Sequence, residues 1–301
     1  MVMAFDIEFP RPHIHNNYAR FNMDLHTKAG ISTLLDLLQH RGSEVSGTAH
    51  KTAFTYLQDG NQISGSLTFS ELDRQARSVA AHLQEVTKPG DRVLLVYPPS
   101  LEYIIGFFGC VYAGVIAVPA PCPPNVRIFP MLQLIAKDAQ SRIALSTSKT
   151  AEEMGGFQSL VNNSSVELNW LATDCLPDAA LRWVPPDLKA SDIAFLQYTS
   201  GTTGAPKGVM VSHANILANC AQSTSILSMT SADVVVSWLP QHHDFGLVAG
   251  ILGSTYIGSH SIQFPPAIFL MRPYTHRLIH KFRHCRPSVV AARFLPRHEL
   301  L

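Results

Sequence analysis

The chain has 301 residues, enough for one large domain or two modest ones around a well-buried core. Apolar residues make up 46% and charged residues 15%, the formal net charge is +1, and no basic stripe with interleaved aromatics stands out, so composition gives no support for nucleic-acid binding. Cys110, Cys122, Cys175, Cys220 and Cys285 are scattered without a CxxC pair, which argues against a zinc site or a disulfide framework and fits a reducing compartment.

Residues 1–30 hold scattered His, Asn and Pro without a period and read as a surface lead-in; early acids and the lack of a basic n-region speak against a signal peptide. Ser32 to His40 reads as a short helix with Leu34, Leu35 and Leu38 on one face. Thr52 to Leu57 and Ser64 to Thr68, joined through Asp59-Gly60-Asn61, predict a hairpin. Thr68 and Glu71 stand three apart as a capping box requires, and Leu72, Ala76, Val79, Ala80 and Leu83 follow at helical spacing until Pro89-Gly90-Asp91.

Strands and helices then alternate. Arg92 to Val96 is a mostly aliphatic run, as in a strand buried on both faces. Leu101 to Ala113 predicts a helix, Val115 to Val118 a strand, Ile128 to Ala139 a helix and Arg142 to Ser146 a strand. Tyr103 to Val118 is almost wholly apolar, but it is shorter than a membrane span and is broken by Gly106, Gly109 and Gly114, so it reads as a buried helix and strand in a soluble, cytoplasmic protein. The mixed stretch from Thr150 to Leu188, with Pro177, Pro185 and Pro186, is a candidate joint between subdomains near 150–190. Ile193 to Tyr198 and Val209 to Val211 read as strands. Ser212 caps a helix through Ala221, Val234 to Trp238 is a strand, and Gly246 to Tyr256 an apolar helix with glycines. The alternation predicts an α/β fold with layered, mostly parallel sheets and flanking helices.

The sharpest motif is Tyr198-Thr-Ser-Gly-Thr-Thr-Gly-Ala-Pro-Lys-Gly208, placed after a predicted strand. Gly201 and Gly204 let the backbone turn tightly and present its N–H groups to an anion. Thr199, Ser200, Thr202 and Thr203 add hydroxyl donors, and Lys207 adds a positive charge. A polyphosphate is the ligand such a loop suits. It is not a Walker A loop, because Pro206 stands where that pattern has a glycine before the lysine. A second constellation, His242-His243-Asp244, lies between a predicted strand and helix. Adjacent residues rarely converge on one ion, and no further ligand cluster accompanies them, so no metal site is assigned.

Three stretches, Gln197 to His213, Tyr97 to Ala120 and Trp238 to Leu247, resemble the signature segments of adenylate-forming enzymes, a superfamily that includes acyl-CoA synthetases, luciferases and peptide-synthetase adenylation domains. The wording Leu-Gln-Tyr-Thr-Ser and His-His-Asp is most similar to the fatty-acyl-AMP ligase branch. The resemblance runs from about residue 30 to about residue 275 and implies the superfamily's large N-terminal domain, truncated: a partial AMP-binding (adenylation) domain over 31–275, a divergent tail over 276–301, and no C-terminal domain.

The resemblance further implies ATP and Mg²⁺ as cofactors, a fatty acid as substrate, and an acyl carrier protein or a polyketide or peptide synthase as partner. In that reading Thr199, Ser200, Gly201, Thr202, Thr203, Gly204 and Lys207 hold the ATP phosphates, and His243 and Asp244 lie on the substrate and adenylate side. Gly246, Gly250 and Ile251 are candidates for the acyl tunnel, on equal terms with ordinary helix packing. The family's later motifs, for the metal-placing acid, the ribose and the catalytic lysine, are not found here. The expectation is therefore an incomplete form with no complete catalytic set and little activity alone. An acyl-CoA synthetase and a non-catalytic ATP- or acyl-binding remnant are the alternatives. Where the ligase branch has Ser-Gly-Gly-Pro this chain has Val289 to Arg293, and a frameshift would account for the change.

Overall fold

The computed structural model describes residues 30–60, 62–160, 166–200 and 206–271, with the backbone alone at Ser200. Asn61, the loop 201–205 and Cys285 lie outside the described residues.

The chain opens with helix α1 (Leu34–Gly42), whose cap is Thr33: the Asp36 N–H donates to Thr33 Oγ1 at 3.1 Å and the Thr33 N–H to Asp36 Oδ2 at 2.8 Å. The cap sets the helix two residues later than the apolar spacing predicts. The expected hairpin forms from β1 (Thr52–Leu57) and β2 (Ile63–Thr68), antiparallel. Thr68 and Glu71 then make the predicted capping box of α2 (Phe69–Val86). β3 (Arg92–Leu95), α3 (Leu101–Ala113), β4 (Ile116–Pro119), α4 (Phe129–Asp138), β5 (Ile143–Ser146), α5 (Ser148–Leu160) and β6 (Asn169–Ala172) continue the alternation. After β6 the chain runs through short 3₁₀ turns back along α2, where Arg74 pairs with Asp178 and the Gln84 Nε2 donates to the Val184 carbonyl at 2.7 Å.

β7 (Ile193–Ser200) and β8 (Pro206–Ser212) form an antiparallel pair, and Ser212 with Asn215 makes a third capping box, that of α6 (His213–Ile226). β9 (Val234–Ser237) leads to a π-helical segment, Gly246–Leu252, then α7 (Gly253–Ile257), β10 (His260–Gln263) and α8 (Pro266–Met271). The predicted continuous helix over Gly246 to Tyr256 is thus a π-helix followed by a short α-helix, and α5, β6, β10 and α8 are elements that the sequence pattern alone does not predict.

Two sheets result, in the orders β2-β1-β10-β9 and β6-β5-β3-β4-β7-β8. Every pairing among them is parallel except β1–β2 and β7–β8. Side-chain alternation separates three cores. Val93 and Leu95 of β3 face the central core with Val235 of β9 and residues of α1, α2, α3, α6 and α7. Leu94, Val96 and Ala144 face away, against Leu132 and Ala136 of α4 and Met154 of α5. Val234, Val236 and Ile262 face a third, smaller core, where Ile268 and Phe269 of α8 pack. The layers therefore run helix, sheet, helices, sheet, helices, the layered and mostly parallel arrangement expected from the sequence. Among the described residues no helix is long and apolar enough to cross a membrane.

Candidate functional site

The β7–β8 hairpin carries the polyphosphate-type motif. Its register places Thr199 opposite Lys207 and Ser200 opposite Pro206, so the Thr199 and Lys207 side chains leave the hairpin on the same face. Both side chains are exposed, and Lys207 makes no ion pair among the described residues. Gly201, Thr202, Thr203 and Gly204 lie in the connection outside the described residues. Below them Tyr198 anchors the hairpin: its hydroxyl donates to Asp138 Oδ2 at 2.5 Å, at the end of α4. Burial, then the Asp138 carboxylate, pushes the Tyr198 phenol well above its ordinary range, so it stays a donor. The ring lies over Gly208, where an added Cβ would meet Tyr198 Cζ at 2.9 Å.

The turn after β9 carries the second constellation. The His243 N–H donates to the Pro240 carbonyl at 3.0 Å and the Leu247 N–H to the His243 carbonyl at 2.9 Å. His243 Nδ1 stands 2.5 Å from Asp244 Oδ1, which also accepts from the Phe245 N–H at 2.6 Å. His243 and Asp244 are exposed, whereas His242 is largely covered, and burial together with the neighbouring His243 lowers its pKa. The turn closes this tightly because position 246 is glycine: a Cβ there would stand 2.2 Å from the Pro240 carbonyl oxygen.

Trp238 is part of the wall, stacked on Phe269 with ring centroids 4.1 Å apart and planes 9° from parallel. Gly250 and Ile251 are buried in the π-helix. The Gly250 carbonyl accepts from Ser254 Oγ at 3.0 Å, Ser261 Oγ at 2.8 Å and Gln263 Nε2 at 3.0 Å, three donors gathered on one oxygen.

The three motif stretches meet in space through two glutamines that sequence reasoning does not single out. Gln241 is 3% exposed: its Oε1 accepts from the Ser100 N–H at 2.9 Å and its Nε2 donates to the Ser100 carbonyl at 3.0 Å. Gln197, on β7 just before Tyr198, donates from Nε2 to the His242 carbonyl at 3.1 Å. The strand that leads into the phosphate-type loop, the Ser100 loop and the His242–Asp244 turn are thus joined by side chain to backbone bonds. Only a Gln or Asn before a strand end hints at such a role, and that signal is common.

The sequence profile described as "AMP-binding enzyme" matches residues 43–292. The chain is 37% identical over 251 residues to the medium-chain-fatty-acid–[acyl-carrier-protein] ligase JamA of Moorena producens, covering 82% of this chain and 42% of that protein. It is 36% identical over 228 residues to the long-chain-fatty-acid–AMP ligase FadD32 of Mycolicibacterium smegmatis, covering 74% of this chain and 36% of that one. The fold superposes on the crystal structure of a fatty acyl-adenylate ligase from L. pneumophila in complex with acyl adenylate and pyrophosphate, with a TM-score of 0.76 and 33% identity over 90% of this chain and 44% of that one. The chain therefore spans less than half the length of these relatives. By the extent of the profile match, this chain belongs to the AMP-binding enzyme family.

Proposed function

We propose that this chain carries the phosphate-holding and carboxylate-side parts of a fatty-acyl-AMP ligase site. One observation supports the reading most: the hairpin with Thr199 and Lys207 is hydrogen-bonded, through Gln197, to the turn that presents His243 and Asp244. A cationic, hydroxyl-rich loop beside a polar turn is what attack by a carboxylate on a nucleotide needs.

In the proposed reaction a fatty-acid carboxylate oxygen attacks the α-phosphorus of ATP, the bond to pyrophosphate breaks, and acyl-AMP forms. Thr199, Ser200, Gly201, Thr202, Thr203, Gly204 and Lys207 would hold the β- and γ-phosphates, so catalysis is positioning and charge neutralisation. His243 and Asp244 would face the carboxylate and the adenylate. Gly246, Gly250 and Ile251 would line the path of the alkyl chain. Mg²⁺, when bound together with ATP, would supply further charge neutralisation; among the described residues no group of three or more His, Cys, Asp or Glu is placed to hold an ion. The acceptor in this reading is the thiol of a carrier protein, as the name of JamA suggests. The domain would be the adenylation unit over 31–275. ATP as substrate and the free thiols of Cys110, Cys122, Cys175 and Cys220 fit a reducing cytoplasm.

Calorimetry with a non-hydrolysable dodecanoyl-sulfamoyl adenosine tests the assignment. Saturable binding, with a phenylalanyl analogue bound much more weakly, supports it. Equal binding of the two overturns the fatty-acid assignment, and no binding of either by the folded chain overturns the site.

A further inference from the structure

The two glutamines that grip the His242–Asp244 turn differ in one respect. Gln241 is satisfied at both ends of its carboxamide. Gln197 is 8% exposed and bonded at one end only: its Oε1 is buried with no hydrogen-bond partner among the described residues. Chemistry fixes the orientation, because the His242 carbonyl can only accept, so the amide NH₂ must face it and the oxygen must be the free end. A buried acceptor without a donor is costly, and an apolar side chain of similar shape would avoid that cost. The glutamine is therefore poorly explained by stability alone.

Its place suggests what it does. Gln197 sits two residues before Thr199 on the strand that enters the phosphate-type loop, and the carbonyl it holds belongs to the residue before His243. Any shift of the end of β7 is transmitted to the turn through this bond. Gln241, closed on Ser100 at both ends, holds the far side of the same turn fixed.

We infer that Gln197 is a positioning residue that couples the β7–β8 hairpin to the His242–Asp244 turn, so that a nucleotide held by the one and a fatty-acid carboxylate held by the other strengthen each other's binding. This inference rests on the adenylation site proposed above. By linkage the effect is reciprocal: each ligand tightens the other by the same factor.

The test is calorimetric titration of the 301-residue chain with α,β-methylene-ATP and Mg²⁺, with and without dodecanoate, for the natural chain and for Gln197→Met. Methionine keeps the length of the side chain and removes the bond and the unsatisfied oxygen together, so the fold is expected to persist, and thermal unfolding checks this. Gln197→Leu, which also removes the bond and the unsatisfied oxygen, serves if the methionine variant does not fold. Dodecanoate is expected to tighten nucleotide binding to the natural chain about fivefold or more. In the variant the affinity for nucleotide alone should stay within about twofold while the tightening disappears. A merely structural role would weaken nucleotide binding and leave the ratio unchanged, and that result overturns the inference, as does tightening that survives in the variant. Binding of both ligands to the natural chain without mutual tightening also overturns it, leaving the site assignment intact. Failure of the natural chain to bind either ligand overturns the site assignment and this inference together.

Discussion

The imidazole Nδ1 of His213 accepts a hydrogen bond from the backbone N–H of Leu34 at 3.2 Å, joining the first turn of α6 to the first turn of α1 across 179 residues of chain. The ring is buried, and that burial, only partly offset by Asp192 and Asp36, lowers its pKa from 6.5 to about 4. Only the neutral ring can accept from Leu34. His260, whose Nε2 lies 2.9 Å from Thr55 Oγ1, is lowered to about 4 by burial and then by Lys51.

Between pH 6.5 and about 4 the unfolded chain binds protons at these histidines and the folded chain does not, so stability is full above 6.5 and falls with pH through that window. The loss at His213 is at most about 3 kcal/mol. Urea midpoints at pH 7.5 and pH 5 should show it, and His213→Asn, which keeps an acceptor but does not titrate, should lessen the difference. An unchanged difference in that variant would place the acid sensitivity elsewhere.

Gly246 makes a sharper structural prediction. A Cβ at 2.2 Å from the Pro240 carbonyl oxygen meets backbone, which cannot swing away as a side chain can. Gly246→Ala should cost roughly 2–4 kcal/mol and open the turn that holds His243 and Asp244. Thermal unfolding measures the first effect. A loss of nucleotide-analogue binding larger than the loss of stability explains would register the second.

Among the described residues Arg41 is a buried cation held without a carboxylate. Its Nε donates to the Thr255 carbonyl at 3.1 Å and its Nη2 to the Tyr256 carbonyl, at the C-terminal end of α7, where the helix dipole favours positive charge. Burial lowers its pKa to about 10, so it remains charged at neutral pH. Arg41→Met should destabilise by about 2–4 kcal/mol, because the Thr255 and Tyr256 carbonyls each lose a charged donor. Arg41→Lys should recover little, since an ammonium cannot span both acceptors as the guanidinium fork does. Chemical denaturation of the two variants compares them.

Much of this architecture was legible from residue patterns, for local reasons. The Thr68–Glu71 box fixed the start of α2, and the span Leu101 to Ala113 matched α3 at both ends because Ser100 and Gly114 bound it. β10 was not legible. Its Ser261 and Gln263 are polar yet buried, because the Gly250 carbonyl accepts from both, and nothing in the sequence announces that the segment before it is π-helical. For the site, the motif residues could be read, but their convergence could not. Gln197 and Gln241 look like ordinary polar positions until the fold brings β7 and the Ser100 loop to the same turn.

Whether the β7–β8 hairpin holds the phosphates of ATP is decided by titration of Mg²⁺–ATP into the natural chain and into Lys207→Ala. Lys207 is exposed on the hairpin, opposite Thr199, so its removal should leave thermal stability nearly unchanged. Saturable binding to the natural chain is expected, with a loss of about tenfold to a hundredfold in the variant, the scale of a charge-assisted hydrogen bond. Equal affinity in the two proteins, or no binding by a natural chain shown to be folded, would contradict it.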